Sequence, residues 1–338
     1  MTDRTTGARS AHSRAGALAL VGLLAAGCAR PIEPPARSPA RSATAATASA
    51  SPRSTANASA SPSASAATVP SGPPIDPADL SGTIAFAFDG GIWTAAADGT
   101  GRRRLTDDDG FDPTLAPDGQ TIVYRLLLAT DDGEIWTMRS DGSGRRNLVN
   151  DPDFSDWGPA FSPDGRRIAF DSNRSGGLAI WLMDADGTNQ QMVTRGHGEY
   201  PAWSPDGRSL AYAGGAYYDI RIVGADGLHD RALTTHPAYD MGPAWSPNGD
   251  WIAYHTQADV YPDLVESGMG DEMEIHLVRP DGSEDHRITN DAVEDSFPAW
   301  SPDGRFLMWA RHGELVVARP DGTGRIEIGP GNFPSWAP

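Results

Sequence analysis

Three features of the sequence predict an all-β fold, a six-bladed β-propeller of four-stranded antiparallel blades whose ring is closed by the C-terminal strand in the first blade. A heptapeptide recurs in near-copies: Pro-Ala-Phe-Ser-Pro-Asp-Gly at 159–165, Pro-Ala-Trp-Ser-Pro-Asp-Gly at 201–207 and 298–304, Pro-Ala-Trp-Ser-Pro-Asn-Gly at 243–249, and the weaker Pro-Thr-Leu-Ala-Pro-Asp-Gly at 113–119. A second turn occurs six times, at Asp98-Gly99, Asp141-Gly142, Asp186-Gly187, Asp226-Gly227, Asp281-Gly282 and Asp321-Gly322. The chain ends in Phe333-Pro334-Ser335-Trp336-Ala337-Pro338, which is the strand that the first copy, starting at Ser81-Gly82-Thr83-Ile84, lacks.

Each repeat reads as four strands in order. The first carries Pro-Ala-Trp and ends in Ser-Pro-Asp-Gly. Proline presets φ there, aspartate bonds its own backbone, and glycine accepts positive φ, so the chain reverses tightly. The second strand is a short alternating run such as Arg167-Ile168-Ala169-Phe170 or Trp251-Ile252-Ala253-Tyr254. The third, such as Ile135-Trp136-Thr137-Met138 or Ile180-Trp181-Leu182-Met183, leads to the second Asp-Gly turn. The fourth closes on Leu105-Thr106, Val193-Thr194, Leu233-Thr234 or Ile288-Thr289. Period-two runs joined by Asp-Gly turns make antiparallel sheets. One such sheet cannot bury both faces, whereas radial stacking of copies can, and it leaves only short protected edges. A terminal strand that completes the first blade removes the open edge as well.

These residues resemble the TolB-type, WD-repeat-like propeller repeat over about 81–338. The resemblance implies the fold strongly and function weakly. TolB carries a separate α/β domain ahead of its propeller, and the composition of the segment before residue 76 does not support one here, so TolB's partners are not carried over.

Residues 29–75 are almost entirely Ala, Ser, Pro, Thr and Arg, without an aromatic residue. Such a segment buries too little apolar surface to offset the entropy of ordering. Ahead of it lie a basic stretch (Arg4, Arg9, Arg14) and an apolar run, Ala15–Ala26, too short to span a bilayer. The run ends in Ala25-Ala26-Gly27-Cys28, which resembles a bacterial lipobox with Ala25 where Leu is usual. The expected organisation is a lipoprotein signal peptide at 1–27, a disordered Ala/Ser/Pro-rich tether at 28–75 and the propeller at 76–338. Cys28, the one cysteine, is the expected lipidation site, so membrane attachment would be through the lipid anchor only. As a flexible coil the tether would span about 40 Å. The expected location is exported, on the periplasmic or extracytoplasmic face of a membrane.

Charge divides at the same boundary. The first 75 residues hold 7 Arg and 2 acids, and the remainder 20 Arg and 43 acids, a net −23. A domain this acidic repels nucleic acid and suits cations or basic partners. Turns between the first and second strands, and between the third and fourth, share one face and are near-uniform. The other loops share the opposite face and vary, and variable loops on a rigid scaffold are where binding usually sits. An acid lies two to four residues ahead of the repeated proline in five blades (Asp109, Asp156, Glu199, Asp240, Asp295), with Asn332 in the closing strand. This reads as a six-fold crown on the central channel that would hold a cation or the basic part of a peptide. The fifth blade is longer: Asp226 and Asp281 are 55 residues apart, where the other intervals run from 40 to 45. The excess, 255–272, mixes Tyr261 with Asp263, Glu266, Asp271 and Glu272, as a binding lip would.

The expected function is thus a cell-envelope lipoprotein whose propeller binds a protein or other ligand through an acidic variable-loop face. The partner would be an envelope protein or basic peptide, the chain a monomer, and no cofactor is implied beyond a cation in the channel. The alternative is a propeller enzyme with a central metal site, resembling oligogalacturonide lyase, since His197, His236, His255 and His312 read as variable-loop residues. No metal-ligand spacing supports it. A serine peptidase is disfavoured because the Gly-x-Ser-x-Gly elbow is missing.

Overall fold

The computed structural model describes residues 72–128, 132–151, 153–235, 238–257, 273–291 and 293–338. The signal segment, Cys28, the tether up to residue 71, His236 and the insertion residues Tyr261, Asp263, Glu266, Asp271 and Glu272 lie outside them. The chain divides into two units, Met1–Ser65 and Ala66–Pro338, and the second holds every described residue. No helix among those residues is long and apolar enough to cross a membrane.

The described strands form six antiparallel sheets of four. Blade 1 is β24-β1-β2-β3, built from Asn332–Ala337, Thr83–Phe88, Gly91–Ala96 and Arg103–Arg104. The other blades follow chain order. Blade 2 runs β4 to β7, from Gly110–Leu115 to Arg146–Asn147. Blade 3 runs β8 to β11, from Asp156–Phe161 to Gln191–Met192. Blade 4 runs β12 to β15, from Gly198–Trp203 to Arg231–Ala232. Blade 5 runs β16 to β19, from Asp240–Trp245 to His286–Arg287. Blade 6 runs β20 to β23, from Asp295–Trp300 to Ile326–Pro330.

Ring closure by the C-terminus is as the sequence predicts. Thr83, Ile84 and Ala85 pair with Ala337, Trp336 and Ser335. The Trp336 indole donates to the Ser81 carbonyl at 2.8 Å, and Ser335 Oγ accepts from the Leu115 amide at 3.0 Å. Chain ahead of the expected start at 76 also packs. Ile75 is buried, and its amide donates to Gly324 in the last blade at 3.0 Å.

The second strands differ from a half-buried pattern. The second strand of blade 3, Arg167–Ser172, is buried at five consecutive positions, because a blade has neighbours on both faces. Period two appears instead as a choice of neighbour. Ile168 and Phe170 join Val123 and Ile135 of blade 2, while Ala169 joins Leu210 and Tyr212 of blade 4. Six apolar clusters result, one per blade interface. Burying a side chain such as Phe170 contributes roughly 2–3 kcal/mol.

The repeated turns are hydrogen-bonded units. Ser162 Oγ donates to Asp164 at 2.6 Å and accepts from the Arg167 amide at 2.9 Å. Ser204, Ser246 and Ser301 do the same with Asp206, Asn248 and Asp303. These bonds hold the Asp164 and Asp206 carboxyls below the usual range. The threonine ending the fourth strand also recurs. Thr106, Thr194, Thr234 and Thr289 accept from the amides of Ile92, Ile180, Ile220 and Ile275 at 2.8–3.0 Å.

Candidate functional site at the channel mouth

All six innermost strands are interrupted by a β-bulge next to the repeated proline. The residue before that proline has a left-handed backbone in every blade: Asp112, Gly158, Tyr200, Gly242, Phe297 and Phe333, with φ from 50° to 58°. Glycine adopts this conformation freely. For bulky residues it is an outlier that costs about 1–3 kcal/mol each. Three of the six positions, Tyr200, Phe297 and Phe333, carry that strain, while Asp112 is of a type that tolerates this backbone.

The bulge turns these side chains inward. The Phe297 and Phe333 rings lie 4.3 Å apart across adjacent blades. Tyr200 and Phe297 lie 5.5 Å apart, although blade 5 separates their blades, so they meet over the axis. Blade 5 makes room with Gly242, where an added Cβ would sit 3.2 Å from the Phe297 ring. Phe111, one residue earlier in blade 2, reaches Phe333 at 6.5 Å. The result is a half-buried aromatic cluster across one side of the channel, at the end reached by the variable loops.

The second strand answers position by position. Where the bulge residue is aromatic, the residue facing the strand just before it is alanine: Ala213, Ala310 and Ala87. Where it is Asp112, Gly158 or Gly242, the facing residue is Arg125, Asp171 or His255. An aromatic bulge residue thus faces a small side chain and a glycine faces a polar one, in every blade but the second, where Asp112 faces Arg125.

The polar residues also tie blades together. Asp171 Oδ1 accepts from the Tyr200 amide at 3.1 Å, and His255 Nδ1 accepts from the Phe297 amide at 3.3 Å. The Gly158 amide donates to the Asp112 carboxylate. A bulge leaves such amides without a ladder partner, and the preceding blade supplies one. Arg125 lies 3.0 Å from Asp112 and over the Phe111 ring. Burial raises the Asp112 carboxyl against the opposing pull of Arg125. Burial, together with the Glu199 charge, raises Asp171 well above its ordinary value. Burial pushes His255 down to about 3, so it is neutral. His255 is fully buried in the second strand of blade 5, Ile252–Thr256, and not in the variable loop where the sequence reading put it.

The six expected crown residues occupy three rows, not one ring. Asp156, Asp240 and Asp295 begin their strands and are fully buried between blades. The equivalent positions in the other blades are Gly110, Gly198 and Gly331, and a Cβ at Gly110 would meet Ile92 of blade 1. This row therefore points at the preceding blade. Asp156 pairs with Arg174 at 2.7 Å. Asp295 pairs with Arg311 at 2.9 Å and accepts from the Trp309 indole at 2.7 Å. Glu199 and Asn332 stand one residue further along and are half-buried. Glu199 lies 2.9 Å from His197 Nε2. Asp109 precedes its strand and is exposed. Sequence spacing alone could not separate these rows. The reciprocity between bulge residue and facing residue was available in the sequence, had the bulge register been known.

Beside the mouth, Tyr218 meets His197 edge-to-face at 4.8 Å and the exposed Tyr239 at a tilt at 5.3 Å. Among the described residues, no group of three His, Cys, Asp or Glu side chains is arranged to hold a metal ion.

Fold and mouth together define a closed six-bladed propeller whose irregular side chains converge on one end of the channel. The family model of the TolB beta propeller domain (PD40) matches residues 99–267, half of the chain, and the chain belongs to that family. Among solved structures it is similar to TolB from Acinetobacter baumannii, with 19% identity and a TM-score of 0.64 over 77% of this chain and 67% of that one. It is also similar to a putative TolB from Agrobacterium tumefaciens, at 22% identity and 0.60 over 75% and 91%. A chain of the nidogen/laminin complex shares the fold at 11% identity and 0.58 over 76% and 99%. At these identities the likeness is one of fold.

Proposed function

We propose that this chain is a protein-binding module of the cell envelope, exported as a lipoprotein through Cys28, and that its propeller binds a basic peptide segment at the variable-loop end of the channel. The observation that carries this reading is the strained bulge. Tyr200, Phe297 and Phe333 hold a costly left-handed backbone, and its effect is to turn aromatic rings into the channel. Beside these rings stand Asp112, Asp171 and Glu199, with Arg125 against Asp112 and His197 against Glu199. Aromatic faces and carboxylates together suit a cationic side chain, through cation–π contact and charge pairing. The net −23 of residues 76–338 favours the same partner at long range. Asp109, Asn332 and the insertion residues Tyr261, Asp263, Glu266, Asp271 and Glu272 are proposed as outer contacts of this site.

The test is capture from envelope fractions with wild-type protein and the Phe297→Ala/Glu199→Gln variant as baits, followed by titration of a fluorescent lysine-rich peptide. A partner retained by wild type and lost by the variant, with about tenfold weaker peptide binding, is the expected result. Equal capture and equal affinity would remove the mouth from the function.

A further inference from the structure

On the opposite face, between blades 2 and 3, lies a cleft of about 450 Å³. It is lined by Thr121, Met138 and Arg139 of blade 2 and by Phe161 and Pro163 of blade 3, with Arg146 and the turn carboxylates Asp118 and Asp164 also on its wall. Internal repetition supplies a template for what would fill it. Thr121 precedes Ile122, which pairs with Met138. Trp251 of blade 5 precedes Ile252, which pairs with Val278. Arg139 and Arg279 follow Met138 and Val278, so Thr121 stands where blade 5 has Trp251, and Arg139 stands where it has Arg279.

In blade 5 that arginine is fully used. The Arg279 guanidinium lies 3.9 Å over the Trp251 ring and bonds Glu284 at 3.2 and 3.3 Å. The edge of His286, the counterpart of Arg146, closes the indole from the side at 5.3 Å. In blade 2 the indole is replaced by a threonine. The Arg139 guanidinium makes no hydrogen bond or ion pair among the described residues. Arg146 spends one N–H on the Asp186 carbonyl at 3.1 Å. The facing residue in blade 3 is Phe161, where the next blades carry Trp203, Trp245 and Trp300. Blade 6 also has an arginine at this place, Arg319, but it stands by Phe306 and bonds the Pro73 carbonyl at 3.0 Å. Only between blades 2 and 3 does the repeat set this arginine over a small side chain.

We infer that this cleft is a binding site for an aromatic carboxylate, whose ring takes the place of the Trp251 indole under Arg139 and whose carboxylate takes the place of Glu284. A planar ring beneath a guanidinium gains cation–π energy, and a carboxylate pairs with the same fork. The second arginine, Arg146, adds positive charge, while the Asp118 and Asp164 carboxylates on the same wall are engaged by their own turns, accepting from the Gln120 amide and from Ser162 Oγ and the Arg166 amide. A free aromatic acid and the C-terminal aromatic residue of a peptide present the same chemistry.

Calorimetric titration of the purified full chain with N-acetyl-tryptophan tests this. A small ligand of this size is expected to bind with a Kd on the order of 0.1 mM. N-acetyl-tryptophanamide, which lacks the carboxylate, should bind about tenfold more weakly, and Arg139→Gln should lose about the same factor for the acid. Thr121→Trp supplies the missing indole from within and should abolish binding. Phe297→Ala, at the channel mouth, should leave the Kd unchanged, which separates this site from the one proposed above. Gly-Gly-Trp binding about tenfold tighter than the acetylated amino acid would assign the site to peptide termini, and equal affinity would assign it to free acids. No binding of N-acetyl-tryptophan at several times the expected Kd (roughly 1 mM) would overturn the inference. So would a Kd indifferent to both Arg139→Gln and Thr121→Trp; should Thr121→Trp not fold, the Arg139→Gln result decides alone.

Discussion

The two ends of each innermost strand obey different rules. At one end the Ser-Pro-Asp/Asn-Gly turn is nearly identical in blades 3 to 6, with the same serine, the same carboxyl or amide oxygen and the same bond lengths to within 0.2 Å. At the other end the backbone is just as regular, since all six bulges share one φ, but the side chains there are Asp, Gly, Tyr, Gly, Phe and Phe. Repetition of both sequence and geometry serves folding. Repetition of geometry alone, with varied side chains, is the basis of the proposed binding site. The strain accepted at Tyr200, Phe297 and Phe333 belongs to the second kind.

Substitutions can break or sharpen this contrast. The largest effect is expected from the buried row between blades. Asp295→Ala leaves Arg311 without its inner partner and should cost about 3–5 kcal/mol in urea unfolding. A cost under about 1 kcal/mol would mean that the pair is not the structural element described. Next, Gly99→Ala places a Cβ 2.1 Å from the Ile328 carbonyl at a φ of +80°, where blade 1 meets blade 6. It should cost about 2 kcal/mol and lower the unfolding midpoint without changing mouth binding.

His255 gives a pH-dependent handle on the mouth. Its folded value of about 3 lies below the ordinary 6.5, so its contribution is present above pH 6.5 and is lost as pH falls toward 3. The slope is about 1.4 kcal/mol per pH unit in that window. Asp171 and Asp112, both raised by burial, act with the opposite sign: their contribution is present at low pH and lost as pH rises. The quantity to measure is therefore the difference between wild type and His255→Gln from pH 6.5 to 4.5, which should narrow as pH falls. A constant difference would place His255 in contact with water. The smallest effect belongs to a single turn. Ser246→Ala removes two hydrogen bonds at the edge of a turn and should cost about 1 kcal/mol, with capture by the mouth unchanged.

Much of this fold is legible in the sequence because it is local. Asp-Gly and Ser-Pro-Asp-Gly are turns by their own chemistry, and Thr194 or Thr289 bonds an amide only 14 residues away. The site was harder to read. Asp156, Asp240 and Asp295 share the spacing of a crown, yet their side chains face a neighbouring blade. His255 looked like a loop residue and is a strand residue against Phe297. In each case the direction of a side chain depends on the bulge, which shifts the alternation of inner and outer positions, and on a partner strand far along the chain.

The number of blades, the turns that separate their strands and the use of the C-terminus to close the ring can all be read from the chain alone, because each follows from short-range hydrogen bonding and a countable repeat. Which side chains meet depends on the folded ring. Tyr200 and Phe297 are 97 residues apart in sequence and touch because six strands converge on one axis. The cleft beneath Arg139 exists because Thr121 and Phe161, ordinary in their own strands, face each other across an interface whose next three counterparts carry Trp203, Trp245 and Trp300.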